Sequence, residues 1–388
     1  MAVPPALVEV FMPQLTHADY LALRRFPALD GLRAVAAVMV VFQHFGGKTW
    51  AYSGGWMGVD LFFVLSGFLI TTLALREEGR KGRASVRNFY LRRVFRLMPV
   101  YYVVLAATAL LYYWRGDWVT AELDKVLPYY LTFNNEFIAA GHIFGHSWTL
   151  AVEQKFYLVW PLLAFAAGFM PMGRRLGIAF GAIALLALVL MVPSFNYGTS
   201  SYIVILMGCV VAILLHDPKG FAFLRGLTRP WLGFVFLPVL VAVQLNAHRL
   251  MMLTGSDTTP VLIYGLVVCL LLLSVLGDGP LVKFFSTPPM KFVGERSYSL
   301  YLVQGIAASF MVSTFPPFRI DRTFTAIMIT LAAIGLADLL FRHVEQPMIE
   351  VGRKLIARLD RRTAEKRTPQ AEEPPVAEPA PVPVPNPA

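Results

Sequence analysis

FPALDGLRAVAAVMVVFQHF, residues 26–45, is the stretch on which the fold turns. From Ala28 to Gly46 it is long and apolar enough to cross a hydrocarbon core of about 30 Å as a helix. Yet it carries two ionisable residues, Arg33 and His44, inside that run. They are eleven positions apart, so at 100° per residue they fall within about 20° of one helical face, and at 1.5 Å per residue about 16 Å apart along it. An ionisable group facing lipid costs several kcal/mol, so both are expected to face a bundle interior or a wet cavity. The plainer alternatives are an Arg33 that snorkels to the inner headgroups and a His44 that anchors the helix at the interface.

The rest of the chain has the same character. Hydrophobic residues make up 57% of the 388 positions and charged residues 15%, far more apolar side chain than a soluble core of this size needs. Nine further apolar runs follow the first, at roughly Trp56–Leu75, Leu97–Trp114, Trp148–Met170, Leu176–Val192, Tyr202–Leu215, Trp231–Leu245, Pro260–Leu276, Ser297–Phe315 and Phe324–Phe341. The expectation is an all-α polytopic transmembrane helical bundle of about ten spanning helices, not a barrel. The sixth and seventh runs are the shortest and could be tilted or partly re-entrant.

The net charge of +10 does not read as a nucleic-acid footprint, because the basic residues sort by side. A cytoplasmic N-terminus puts 27 of the 34 lysines and arginines inside, and the inverted topology reverses that ratio. Both termini are therefore expected to be cytoplasmic. Residues 1–25 form a cytoplasmic N-terminal segment without the pattern of a cleavable signal peptide, residues 26–348 the membrane domain, and residues 349–388 a basic and then Pro-rich, disordered tail. Cys209 and Cys269 both fall in apolar runs and read as buried free thiols. No internal repeat is visible, which weighs against a transporter built from duplicated halves.

Two further stretches carry chemistry. HSWTLAVEQKFYLVWPLL, residues 146–163, sets Thr149, Glu153 and Tyr157 four apart, one polar stripe on a helix. A carboxylate at Glu153 could orient the His44 imidazole and stabilise its charged form, or it could make only a structural interhelical bond. Lys155 beside it either snorkels outward or pairs with Glu136. FYLRRVFRLMP, residues 89–99, sets Arg93 and Arg96 on one face of an entering helix with Arg92 adjacent. Guanidinium groups bind phosphates bidentately, so this cluster suits a nucleotide-bearing donor such as coenzyme A, or else anionic lipid. His142 and His146 form an HxxxH pair without a third ligand nearby, so no metal is expected.

Taken with GVDLFFVLSGFLI at residues 58–70, SYSLYLVQ at 297–304 and VEQP at 344–347, these motifs resemble, in their order, those of the acyltransferase 3 family of bacterial membrane O-acyltransferases. The likeness runs from about Phe26 to Met348. It implies a bacterial inner-membrane enzyme in which acyl-CoA binds from the cytoplasm near Arg93, Arg96 and Arg92. It also implies that Arg33 steadies the donor or the developing charge and that His44 acts at the acceptor side. Asp60 is then expected to cap the second helix, and Ser66 and Gly67 to permit close helix approach. Two departures stand out: Glu153 is followed by Gln154 where the family shows adjacent glutamates, and Gln304 stands where many relatives have His.

The expected function is transfer of an acyl group, acetyl foremost, from cytoplasmic acyl-CoA to a hydroxyl of a cell-surface or lipid-linked carbohydrate. His44, Arg33 and Glu153 form the catalytic set, and Thr149 and Tyr157 contact substrate. No bound cofactor is expected, and the partners are acyl-CoA, a hydroxyl acceptor and membrane lipid. Whether His44 acts as general base or forms an acyl-imidazole is open at this level. The alternative is a proton-coupled transporter or flippase of a glycan or lipid precursor using the same residues as a relay.

Overall fold

The computed structural model describes residues 14–138, 144–168, 170–192, 198–315 and 322–365, and among them every regular element is helical. Ten helices fall on the ten expected runs: α1 (Pro27–Phe45), α2 (Gly58–Lys81), α3 (Val86–Trp114), α4 (Trp148–Phe165), α5 (Met172–Val189), α6 (Thr199–His216), α7 (Gly233–Leu245), α8 (Thr258–Ser274), α9 (Ser297–Thr314) and α10 (Thr323–Leu340). An eleventh, α11 (Gln346–Glu365), continues α10 after a π-helical turn at Phe341–Glu345.

Six helical stretches are long and apolar enough to cross a membrane, those containing α1, α2, α3, α5, α6 and α10. The bent pair Pro218–Thr228 and Pro230–Leu245 would make a seventh. The other expected spans fall short for identifiable reasons. α8 has 17 residues, α4 carries Glu153, Gln154 and Lys155, and α9 carries Ser297, Ser299, Gln304, Ser309 and Ser313. The outward faces bear large exposed apolar side chains such as Leu185, Leu188, Phe234, Leu266, Phe310 and Leu331, the surface expected of a protein solvated by lipid.

Small residues set how closely the central helices approach. A Cβ on Gly67 of α2 would lie 1.9 Å from the Ile205 carbonyl oxygen, and one on Gly208 of α6 would lie 2.1 Å from that of Val64. Glycine at both positions brings the two backbones together, as is common between membrane helices. Gly67 thus has the expected packing role. Ser66 has a polar role as well, its hydroxyl donating to Glu153 of α4 at 2.6 Å. Asp60 does not cap α2, for that helix has no side-chain cap bond. It sits buried in the first turn of α2.

The basic segment from residue 349 is helical through Glu365, and the Pro-rich stretch from residue 366 lies outside the described residues. Asp360 fastens α11 to the start of α3, accepting from Arg87 Nη2 at 2.9 Å and from Asn88 Nδ2 at 3.0 Å. Asn88 is buried, so losing its partner leaves an unsatisfied donor. Asp360→Ala is expected to loosen the end of α11 by about 1–2 kcal/mol. Limited proteolysis should then cut faster at Arg361 and Arg362, while an unchanged rate would remove this anchor from the account.

Candidate active site

Six of the eight residues expected to act in catalysis, donor binding or substrate contact meet in one place. A cavity of about 500 Å³ is lined by Arg33, Arg93, Arg96, Thr149, Glu153 and Tyr157. Arg24, Arg25 and Arg76 also line it, so six arginines face four carboxylates, Asp30, Glu153, Glu295 and Glu345. The arginine-bearing walls come from the start of α1, the end of α2 and the start of α3, which defines one basic end of the bundle. A confined excess of guanidinium is suited to phosphate.

The helices aim these groups by simple means. Arg93 and Arg96 are three apart on α3 and share a face. Arg93 stacks over the Phe89 ring at 5.6 Å and the Tyr157 ring at 5.1 Å, and Arg33 lies 5.8 Å from the Phe62 ring centroid. Arg92, one position round by about 100°, leaves the cavity and pairs with Glu77 at 2.7 Å. It therefore does not join the donor cluster in which the sequence reading put it.

Glu345 was not assigned a role from sequence. Pro347 has no N–H to give the carbonyl of residue 343, and the chain takes a π turn just before it. Glu345, the last residue of that turn, lines the cavity, 4.0 Å from Arg96 Nε and accepting from Ser299 at 3.0 Å. The VEQP and SYSLYLVQ segments were the signal, visible as motifs but without chemistry attached.

His44 is not among the cavity-lining residues. It sits at the opposite end of α1 from Arg33, with an exposed ring. Its Nδ1 meets Gln304 Oε1 of α9 at 3.0 Å. The expected pairing of His44 with Glu153 is thus replaced: Glu153 binds Ser66 and shares the cavity with Arg33 and Arg93. Helical phase fixes which residues of α4 share a face but not which neighbour meets it.

Between the cavity and His44 stands a short polar wall. Thr149 donates to the Tyr301 hydroxyl at 3.0 Å, and that hydroxyl donates to the His146 carbonyl. The His146 ring lies 6.5 Å from that of His44, and its Nε2 donates to the Leu302 carbonyl at 3.3 Å. His142, the other half of the HxxxH pair, lies outside the described residues. Among the described residues no three His, Cys, Asp or Glu side chains converge on a metal position. Lys155 takes the second of its two expected options, pairing with Glu136 at 2.8 Å and donating to the Phe133 carbonyl.

A bundle of apolar helices with an arginine-lined cavity at one end and an exposed imidazole at the other is a multi-pass membrane protein with a polar site threaded through it. A family model described as an acyltransferase domain matches residues 26–342, and the chain belongs to this family, acyltransferase 3. A Staphylococcus aureus (strain COL) protein provisionally named an O-acetyltransferase is 29% identical over 87% of this chain and 59% of its own length. The peptidoglycan O-acetyltransferase OatA of Listeria monocytogenes is 29% identical over 84% of this chain and 56% of its own. The O-acetyltransferase OatA of Staphylococcus aureus (strain MRSA252) is 28% identical over 88% and 60%. The chain therefore spans somewhat over half the length of these relatives. No solved structure matches it.

Proposed function

We propose that the protein is an O-acyltransferase of the bacterial inner membrane. It moves an acyl group, acetyl foremost, from cytoplasmic acyl-CoA to a hydroxyl of a cell-surface or lipid-linked carbohydrate. The observation that carries this reading is the division of α1: Arg33 lines an arginine-rich cavity at the basic end, and His44 presents an exposed ring at the other. With 27 of the 34 basic residues on the inside, the cavity opens to the cytoplasm, both termini are cytoplasmic and the chain crosses up to ten times. The name of the Listeria relative, a peptidoglycan O-acetyltransferase, supports a cell-wall carbohydrate hydroxyl as the class of acceptor.

In this reading Arg93 and Arg96 hold the phosphates of the donor, and Arg33 steadies the donor in the same cavity. Glu153, fixed by Ser66, balances Arg33 and Arg93 and keeps them in register. Thr149 and Tyr157 line the passage that the acyl end occupies. His44 removes the acceptor proton as the hydroxyl oxygen attacks the carbonyl carbon. The C–S bond then breaks, and the coenzyme A sulfur leaves with that proton. General-base help of this kind is typically worth about 10² to 10⁴ in rate.

Arg93→Ala and Arg96→Ala should each raise the KM for acetyl-CoA about 10- to 100-fold, the range set by losing one charge-assisted contact to phosphate. Arg92→Ala should change it less than threefold, because Arg92 is already held by Glu77. Equal effects at all three positions would point to a diffuse positive surface instead of a donor site. The reading as a whole is tested by base-labile acetate on surface glycans of cells with and without the gene. Unchanged acetate would remove the carbohydrate acceptor, and glycan movement with intact CoA thioester would favour a carrier.

A further inference from the structure

Gln304 is 1% exposed at the level of the acceptor-side imidazole, where a buried amide is costly unless both its ends are bonded. Both are. Its Nε2 donates to the Tyr301 carbonyl at 3.0 Å, and its Oε1 lies 3.0 Å from His44 Nδ1. A backbone carbonyl can only accept, so the amide nitrogen must point to Tyr301 and the amide oxygen to His44. An amide oxygen can likewise only accept, so the proton in that contact belongs to His44 Nδ1. A neutral imidazole with its proton on Nδ1 has its lone pair on Nε2.

We propose that Gln304 is the positioning residue of the acyl-transfer site, holding His44 in the Nδ1–H form so that Nε2 is free to take the acceptor proton. The proposal rests on the reading of His44 given above. Its anchor is backbone: the Tyr301 carbonyl lies one turn back on α9, and the Tyr301 hydroxyl is itself held between Thr149 and the His146 carbonyl. The amide brings no charge. It therefore fixes tautomer and ring angle without the pull on the imidazolium that a carboxylate at that place would add.

Turnover is measured on the purified full-length chain in liposomes with acetyl-CoA and a hydroxyl acceptor. Gln304→Leu, which fills the space but accepts nothing, should lower kcat about 10- to 100-fold with the KM for acetyl-CoA unchanged. Gln304→Glu, which restores an acceptor to Nδ1, should recover at least tenfold over Gln304→Leu. A residue that served packing alone would move both variants together, and that result overturns the proposal. So does Gln304→Leu at wild-type kcat beside an inactive His44→Ala. Full activity in His44→Ala overturns the reading of His44 and this proposal with it. Should Gln304→Leu fail to fold, ¹⁵N spectra of histidine-labelled wild type still decide, with His44→Ala used to assign the signal. The proton is expected on Nδ1, and a proton on Nε2 at neutral pH contradicts the proposal.

Discussion

His44→Ala is expected to lower acyl transfer by about 10² to 10⁴ while the protein still folds and still binds the donor. The fold should tolerate the change because the ring is exposed and its side-chain hydrogen bond is the one to Gln304. Donor binding should survive because the arginines that line the cavity lie at the other end of α1. The diagnostic combination is therefore a lost kcat beside an unchanged KM for acetyl-CoA and an unchanged thermal midpoint. A variant that kept turnover but lost affinity would move His44 from chemistry to binding.

The second large effect lies outside the site. Arg175 is 4% exposed and Glu78 6%, and Arg175 Nη2 reaches both carboxylate oxygens at 2.8 and 2.6 Å. Its Nε donates to the Ala164 carbonyl, and its guanidinium lies over the Phe165 ring. One buried pair thus ties α2 to α5 and to the end of α4. Glu78→Ala strands a buried cation and should cost about 3–5 kcal/mol, read as a fall in the thermal midpoint in detergent. Replacing both residues with Met should recover most of that loss, since it removes the uncompensated charge together with the pair. A double variant no more stable than Glu78→Ala would mean that the Ala164 and Phe165 contacts, not the ion pair, hold the three helices.

What the sequence made legible follows from periodicity. The apolar runs foretold helices in ten places, although only six helical stretches, or seven with the bent pair, are long and apolar enough to cross a membrane where ten spans were expected. The spacing of Arg33 and His44 put them toward opposite ends of one helix. Gly67 was legible because only glycine allows the α2–α6 approach. The misreadings have one cause: helical phase orders residues within a helix, whereas partners are set by helix packing. A carboxylate at Glu153 looked able to orient His44, yet α9 brings Gln304 to His44, and α2 brings Ser66 to Glu153. Arg92 looked like a third member of the arginine cluster until its face met Glu77. The π turn that delivers Glu345 to the cavity depends on a local change of helical pitch that a 3.6-residue period does not express.

The central claim is that donor and acceptor meet from opposite ends of one helix. Sealed proteoliposomes with the chain in one orientation, acetyl-labelled acetyl-CoA on the side of Arg93 and Arg96, and a carbohydrate acceptor enclosed on the side of His44 test it directly. Labelled acceptor is expected inside vesicles that remain impermeable to acetyl-CoA, and none with His44→Ala. Label that reaches the acceptor only when both substrates share one side would contradict it.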